Sequence, residues 1–454
     1  MNETLAHELA AHARSADQLP ASDRPILAMM HELIGVVPNC YPMLDLWPPG
    51  LRTFNLLVPN LLNLPMALVG QGAPKDLVGL AMFASSQAAG CSYCIAHHCS
   101  FALRRGVDRD TMLGHRTPVE DAVADLAAAM ATVPSTLTPE HIRVAEAHLG
   151  ARDVESIAMA VALGGFLNKF MDSVGVELEE SCLTDVQALL RNHGWHPGKH
   201  VRSPDPSTAV DADSGPAGAP ADPYDLPWHQ VDTSADIPVD SLGTYLRVIR
   251  QAPAAVRLDR AWSRGAPGRL GPALLLLEEE IGYSFPILGA LSSPRVVRAL
   301  TAALRDNLDP ATSAIGLELK LLAGLVYAEH VRSPLLVQES VFLLDQLDLS
   351  PHPWLLRSIR RFAAAPTEDL QLPPGLSAFE ASAILLARAC AASPAEISEV
   401  VVAAVMPHLD PDQIIEIVVW LSLLQTLHRL YAFSEARAEL AGANDLDEAV
   451  VAGL

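Results

Sequence analysis

The apolar periodicity of this 454-residue chain breaks between residues 196 and 238, and the break divides the chain into two long halves. The broken stretch is rich in Pro, Asp, Ser, Ala and Gly, as in residues 204–207 (PDPS) and 215–220 (GPAGAP). Such a segment cannot bury enough apolar surface to offset the entropy of ordering it. The sequence therefore predicts two domains, 1–195 and 239–454, joined by a Pro/Asp/Ala-rich linker over 196–238.

The composition of both halves favours helices over sheets. Half of the residues are hydrophobic but only 5% are aromatic, and Ala and Leu are far more frequent than alternating runs of β-branched residues. Ala and Leu are among the best helix formers. We therefore predict an all-α protein with one hydrophobic core in each half.

Several landmarks occur in the same order in the two halves. Ile34-Gly35 has a counterpart in Ile281-Gly282, and Thr138-Pro139 has one in Ser393-Pro394. In the second pair a hydroxyl residue precedes a proline, as an N-cap precedes the first residue of a helix. The shared order predicts a tandem duplication of one helical unit.

Charge and composition exclude several classes of partner. The formal net charge is -22 and no stripe of Lys and Arg is present, which argues against nucleic-acid binding. The first residues lack the basic and apolar regions of a secretory signal, and no uninterrupted apolar run of membrane-spanning length is seen. Six cysteines are too few for a secreted disulfide framework in so long a chain. We expect a cytoplasmic protein without a membrane partner.

The strongest chemical signal is a cluster of cysteines near residue 90. Cys91, Cys94 and Cys99 fall within nine residues, and His98 lies four residues after Cys94. On a helix, residues three and four apart share one face. A helix that starts near Cys91 would therefore place two thiols and an imidazole together.

Besides redox thiol chemistry, the motif has four other interpretations, and the surrounding residues argue against the first two of them. A thioredoxin-like fold places the pair after a strand, whereas residues 76–89 are Ala-rich and helical in character, and c-type haem needs a histidine where Ile95 stands. Zinc could take Cys91, Cys94, His98 or Cys99, although structural zinc usually draws ligands from two separated knuckles. Buried, inert cysteines are the plainest alternative.

We favour a dithiol/disulfide couple, with no metal and no bound cofactor. The partial positive charge at a helix N-terminus and a nearby imidazole are expected to lower a thiol pKa from about 8.5 toward neutrality. A second thiol one turn away can then resolve a sulfenic acid or a mixed disulfide.

The residues around the motif carry a family resemblance. The string from Gly90 to His98, followed by Arg104-Arg105-Gly106-Val107, resembles the signature of the alkyl hydroperoxidase D and carboxymuconolactone decarboxylase-like superfamily, in its peroxidase-related branch. Residues 166–176 are similar to the closing helix of that family. The resemblance covers residues 25–190 well and residues 270–435 weakly.

This resemblance implies an all-α unit that assembles into oligomers and reduces peroxides or exchanges disulfides. Carried over to this sequence, it implies Cys94 as the nucleophile, Cys91 as the resolving thiol and His98 as the base. The opposite assignment of the two cysteines stays open.

The sequence departs from the family at one position of the proton relay. Twelve residues before Cys91, where the family often has a glutamate, this chain has Gly79. Asp76, one turn earlier, is a candidate substitute, or else a solvated surface group. Tyr93 either donates a hydrogen bond to the oxidant or covers the thiols, and His97 points about 100° away from His98 and is expected to be a packing or surface residue.

Two further groups of residues bear on the prediction. In the second half, Val331, Pro334 and Gln338 align opposite Cys91, Cys94 and His98, so this half lacks the thiols. His193, His196 and His200 are close enough in sequence to hold a metal, but the glycines and proline between them indicate the frayed start of the linker.

The preferred function is a thiol-dependent oxidoreductase that reduces hydroperoxides or partner disulfides, with an external thiol as reductant. We also expect a homo-oligomer or an internal pseudo-dimer of the two halves. The alternative is a non-catalytic helical scaffold or redox sensor, supported by Gly79 and by the thiol-free second half. A lactone decarboxylase-like enzyme is the third hypothesis.

Overall fold

A computed structural model describes residues 4–14, 18, 23–190, 194–201, 239–349, 351–366 and 371–442. The described residues contain helices and no β-strand, which confirms the all-α prediction. In chain order, the helices α1 to α20 are Leu5–Leu9, Arg24–Ile34, Cys40–Leu44, Pro48–Leu61, Lys75–Ala89, Ser92–Arg104, Arg109–Met112, Pro118–Ala131, Pro139–Leu149, Ala151–Val174, Glu180–Leu190, Leu242–Trp262, Leu270–Ile281, Pro294–Asn307, Leu317–His330, Pro334–Gln346, Pro353–Ala364, Ala378–Ala391, Glu399–Val405 and Pro411–Leu440. Short 3₁₀ turns cover Met66–Val69, Gly198–His200 and Pro286–Ala290.

Helix starts follow the capping residues in the sequence. Thr138 is the N-cap of α9 and Pro139 its first residue, as predicted. The corresponding prediction for Ser393 is wrong, because α19 begins at Glu399 with Ser398 as its N-cap. Ser398 Oγ accepts from the Val401 backbone N–H, so the later hydroxyl supplies the cap that Ser393 was expected to supply.

The two longest helices form the centre of the molecule. Both α10 and α20 are long and apolar enough to cross a membrane by length and composition alone. Their apolar windows are nevertheless 89% and 100% buried inside the fold. Both are therefore core helices, hydrophobic around most of their circumference because they are surrounded by other helices.

The halves share a core instead of forming two separate ones. Helix α10 packs along α20, and α4 packs along α14, so each of these contacts joins the first half to the second. Almost all buried apolar side chains of the described residues belong to one continuous cluster that includes both halves. The helices of the two halves follow a similar order, but the duplication of one unit stays a prediction. Most of the predicted linker, residues 202–238, lies outside the described residues.

A lysine from the first half caps a helix of the second. Lys169, buried on α10, donates from Nζ to the carbonyl oxygens of Cys390 (2.7 Å), Ala391 (3.1 Å) and Ala392 (2.5 Å). These carbonyls lie at the C-terminus of α18, where no backbone donor remains to satisfy them. The interface between the two halves therefore contains specific hydrogen bonds as well as a continuous apolar core.

The junction between α15 and α16 in the second half resembles the junction between α5 and α6, which carries the cysteines. Helix α16 begins after its N-cap Ser333, as α6 begins after its N-cap Cys91, and the two caps have similar extended backbone angles. Matching the caps places Ser333 opposite Cys91, two residues away from the Val331 of the sequence alignment. The thiol-free character of the second half is unchanged by this shift.

Candidate functional site

The cysteine motif forms the corner between α5 and α6. Gly90 ends α5 in the left-handed region (φ 69°), and a β-carbon there would lie 3.1 Å from Pro394 Cδ of the second half. Cys91 is the N-cap of α6, and its Sγ accepts from the Cys94 backbone N–H at 3.3 Å. The predicted helix start is therefore confirmed. Both cysteines are free thiols, and their exposed fractions are 1% and 2%.

Cys94 and His98 line the same small cavity. The cavity has a volume of about 70 Å³ and is otherwise surrounded mainly by apolar side chains, among them Phe54, Leu163 and Met171. Cys91 is not among its lining residues. The structure thus places one thiol of the pair and the predicted base at a space that can admit a small apolar molecule.

Hydrogen bonds fix the tautomer of His98. Its Nδ1 lies 2.6 Å from Ser86 Oγ and 3.1 Å from the Met82 carbonyl oxygen. Because a carbonyl can only accept, Nδ1 carries the proton and donates to it. This leaves Nε2 unprotonated and available as a proton acceptor.

The charge states differ from those expected from the helix N-terminus. Burial raises the pKa of Cys91 well above its ordinary value, and the neighbouring Cys94 thiol and the Asp172 carboxylate raise it further. Burial also lowers the pKa of His98 to about 3, with a further contribution from His97. Desolvation therefore outweighs the helix dipole for Cys91, and His98 is a neutral imidazole that offers no positive charge to the thiols.

His97 and Tyr93 form a second polar group that the sequence did not predict, around Glu179. His97 Nε2 lies 2.5 Å from Glu179 Oε2, and the ring of Tyr93 stacks on that of His97 at 4.4 Å. Although burial alone would lower it, Cys182 and Glu179 hold the pKa of His97 well above its ordinary value. The Tyr93 hydroxyl donates to Glu179 Oε1 at 2.9 Å, so this hydroxyl is already engaged within the protein.

Gly79, the position where the family often has a glutamate, lies at a close contact between α5 and α6. A β-carbon at Gly79 would lie 2.8 Å from Ala102 Cα, so glycine allows α5 and α6 to approach closely. Asp76 is exposed in the first turn of α5, about 15 Å along the helix axis from Ser86, which contacts His98. The side chain of α5 that makes a hydrogen bond with His98 is therefore Ser86 and not Asp76.

Restoring the family glutamate is expected to damage the protein. Gly79→Glu forces Ala102 away and buries a carboxylate, which should cost at least about 3 kcal/mol of unfolding free energy. Gly79→Ala, with the same clash and no charge, should cost about 1–3 kcal/mol. Urea unfolding checks both values. Gln87→Glu, at an exposed position of α5, is the control and should change stability by less than about 0.5 kcal/mol.

A chain of hydrogen bonds connects His98 to the second half. Asn168 Nδ2 donates to Ser86 Oγ at 2.9 Å, and Arg429 of α20 donates from Nη2 to Asn168 Oδ1 at 3.1 Å. Arg429 Nη1 also donates to the Val161 carbonyl at 2.7 Å. Arg429 is not predictable from a local motif, because none surrounds it and its partners lie more than 250 residues away.

Two glycines make room for this arginine. A β-carbon at Gly164 would lie 3.3 Å from Arg429 Nη1, and one at Gly165 would lie 3.1 Å from Arg429 Cδ. The pair Gly164-Gly165 on α10 is therefore the sequence signal that would have indicated a close approach. Burial lowers the pKa of Arg429 to about 10, whereas the nearby groups Tyr327, Cys94 and Cys91 raise it.

On its other side, Cys91 meets a buried carboxylate and a buried imidazole. The Sγ of Cys91, a carboxylate oxygen of Asp172 and a ring nitrogen of His200 lie within 4.8 Å of one another, an arrangement that could hold a metal ion. His200 is buried, in contrast to the expected frayed segment, because Trp195 anchors this stretch by donating to the Ser92 carbonyl at 3.1 Å. His196 is exposed and His193 lies outside the described residues, so the described part of the chain does not bring the three loop histidines together.

Comparisons with known proteins agree with the motif. The family model described as carboxymuconolactone decarboxylase family matches residues 60–136. A crystal structure of the apo debrominase Bmp8 is similar at 23% identity and a TM-score of 0.35, over 39% of this chain and 95% of that one. No curated protein sequence matches the chain. The family match contains the entire CxxCxxxH motif, and residues 60–136 of this chain are similar to the carboxymuconolactone decarboxylase family.

Proposed function

We propose that this protein is a thiol-dependent oxidoreductase that reduces hydroperoxides through a Cys91/Cys94 dithiol–disulfide couple. The observation that carries the proposal is that Cys94 and a neutral His98 line one apolar cavity. Cys91 is adjacent to Cys94, since its sulfur accepts from the Cys94 backbone N–H. A nucleophile, a base and a resolving thiol are then within one corner of the fold.

The first step is attack by Cys94 on the peroxide. The Cys94 thiol gives its proton to His98 Nε2 as its sulfur bonds to the terminal peroxide oxygen. The O–O bond breaks, and the leaving alkoxide takes the proton from His98 and departs as an alcohol. The sulfur is oxidised to a sulfenic acid, the peroxide is reduced by two electrons, and His98 is neutral again.

The second step closes the disulfide. The sulfur of Cys91 attacks that of Cys94, the S–S bond forms, and the hydroxyl leaves as water. An external dithiol then reduces the disulfide and returns two electrons to the protein.

The burial of the two thiols and the residues that line the cavity indicate which class of oxidant fits the site. The two thiols are 1% and 2% exposed, so the disulfide of a folded partner protein cannot reach them without an opening of the site. A space of about 70 Å³ bounded by Phe54, Leu163 and Met171 favours a small apolar hydroperoxide over a charged one. We therefore place organic hydroperoxides first among substrates and partner disulfides second.

Turnover of cumene hydroperoxide with dithiothreitol, followed by peptide mapping of the oxidised protein, tests the proposal. Multiple turnovers and a Cys91–Cys94 disulfide are expected. A disulfide that forms and is reduced again without turnover would support the redox sensor, and the absence of any disulfide would support the scaffold. Loss of carbon dioxide from a lactone acid in a thiol-blocked sample would support the decarboxylase.

The raised pKa of Cys91 gives an expected pH dependence. Because folding raises this pKa, the thiolate fraction at any given pH is smaller in the native protein than in the unfolded chain. The rate of Cys91 alkylation by iodoacetamide should therefore keep rising about tenfold per pH unit above pH ~8.5, where an ordinary thiol levels off. Quantitative peptide mass spectrometry measures this rate. A plateau near pH ~8.5, as expected for the urea-unfolded protein, would contradict the raised pKa.

A further inference from the structure

Cys91 faces a different set of groups from those that serve Cys94. Cys94 lines the apolar cavity with His98, whereas Cys91 lies beside Asp172 and His200. The second step of the proposed reaction must remove a proton from Cys91, and burial keeps that thiol protonated. A proton acceptor on the Cys91 side is therefore required.

The tautomer of His200 suits it to this role. His200 is 1% exposed, and its Nδ1 lies 2.7 Å from the Val176 carbonyl oxygen. A carbonyl only accepts, so Nδ1 is protonated, and in the neutral imidazole Nε2 then carries the lone pair. Within the described part of the chain, Nε2 has no hydrogen-bond partner of normal geometry. A ring nitrogen of His200 thus lies within 4.8 Å of the Cys91 sulfur, and Nε2 is the nitrogen of that buried ring without a hydrogen-bond partner.

Asp172 is placed to stabilise the imidazolium that would form. Its Oδ1 lies 3.5 Å from His200 Nε2, and its Oδ2 accepts from the Ala395 backbone N–H of the second half. Although burial alone would raise it, the Lys199 ammonium at 3.0 Å and the Ala395 N–H hold the pKa of Asp172 below its ordinary value. The carboxylate is therefore ionised throughout the physiological range.

We infer that His200 is the base for the resolving step, taking the proton of Cys91 as that thiol attacks oxidised Cys94. The inference rests on the proposed function and assigns a second histidine to the second cysteine. The S–S bond forms, the S–O bond of the sulfenic acid breaks, and hydroxide leaves. The proton that His200 accepts is the one that converts this hydroxide to water, so atoms, charge and electrons balance.

The experiment separates the two chemical steps. His200→Asn retains an amide donor for the Val176 carbonyl and removes the Nε2 base. After mixing with one equivalent of cumene hydroperoxide, samples are quenched with dimedone, which labels sulfenic acid, or with acid for disulfide mapping. The rate of sulfenic acid formation should stay within about twofold, while disulfide formation slows about a hundredfold. Dimedone-labelled Cys94 should therefore accumulate in this variant.

Two further variants make the result decisive. His200→Gln, which places an amide near the Nε2 position without supplying a base, should show the same accumulation. His196→Asn carries the same substitution at an exposed histidine four residues away and should behave as wild type. Disulfide formation at the wild-type rate in both His200 variants overturns the inference, as does an equal loss of both steps, which would mean a structural role only.

The remaining outcomes are also distinguishable. Stoichiometric zinc in the purified wild type that is lost in His200→Asn, with disulfide formation unchanged, would make His200 a metal ligand and overturn the inference alone. Absence of sulfenic acid and disulfide in the wild type would overturn the proposed function, and this inference with it.

Discussion

Cys94→Ser should reduce turnover of cumene hydroperoxide at least about a thousandfold. Serine nearly matches cysteine in size, but its hydroxyl is not ionised near neutral pH and cannot be oxidised to a sulfenic acid. Among the cysteines of the motif, Cys94 alone lines the cavity in the described structure. The measurement is the initial rate of peroxide loss with excess dithiothreitol.

The chain offers a matched control for this substitution. Cys99 lies on the same helix and is fully buried, yet it does not line the cavity, so Cys99→Ser should retain most of the activity. Without dithiothreitol, Cys91→Ser should consume about one equivalent of peroxide and then stop at the sulfenic acid, because no second thiol of the pair is present to form the disulfide. Equal turnover by wild type and Cys94→Ser would remove Cys94 from the mechanism and leave the opposite assignment of the cysteines to be tested.

The local part of the site was predictable from the sequence because helix geometry relates residues three and four apart. Cys91, Cys94 and His98 were placed on the first turns of one helix, and α6 begins one residue after Cys91. The all-α fold was likewise predictable, since Ala and Leu dominate both halves. Both properties depend on residues close together in the sequence and on local composition.

The other parts of the site could not be predicted, because they depend on contacts between residues far apart in sequence. His200 was interpreted as part of a frayed loop, because nothing in its neighbourhood indicates that Trp195 anchors the segment against α6. The predicted lowering of the thiol pKa is also wrong for Cys91, since the motif indicates a helix N-terminus but not how deeply the thiol is buried. For Cys91, that burial reverses the direction of the pKa change.

The second half acquires a function in this arrangement although it carries no cysteine pair. Its loop at Pro394 and Ala395 covers the start of α6 and holds Asp172, and its last long helix brings Arg429 beside the thiols. We propose that the two halves form an internal pseudo-dimer in which only the first carries the thiols. The observation behind this proposal is that α10 packs along α20 and that the buried apolar residues of both belong to one core.

Arg429→Met is therefore expected to slow the reaction of Cys94 although residue 429 lies in the thiol-free half. Arg429 is 1% exposed, and among the described residues its guanidinium donates to the Val161 carbonyl and to Asn168 and pairs with no carboxylate. A buried cation without an ionic partner attracts the negative charge that develops on the thiols. Because Arg429→Met removes this attraction, we expect sulfenic acid formation at neutral pH to slow about 10- to 100-fold.

The substitution separates this electrostatic role from a structural one. Arg429→Met also removes the charged hydrogen bond to Asn168, which should cost about 1.5–3 kcal/mol of unfolding free energy in urea titrations. Arg429→Lys retains the charge but not the two-pronged contact, so it should lose comparable stability while retaining more of the rate. Arg437→Met, on the same helix and paired with Glu155, is the matched control and should leave the rate unchanged. If Met and Lys at position 429 slow the reaction equally, the charge of Arg429 has no part in it, and the second half contributes only packing.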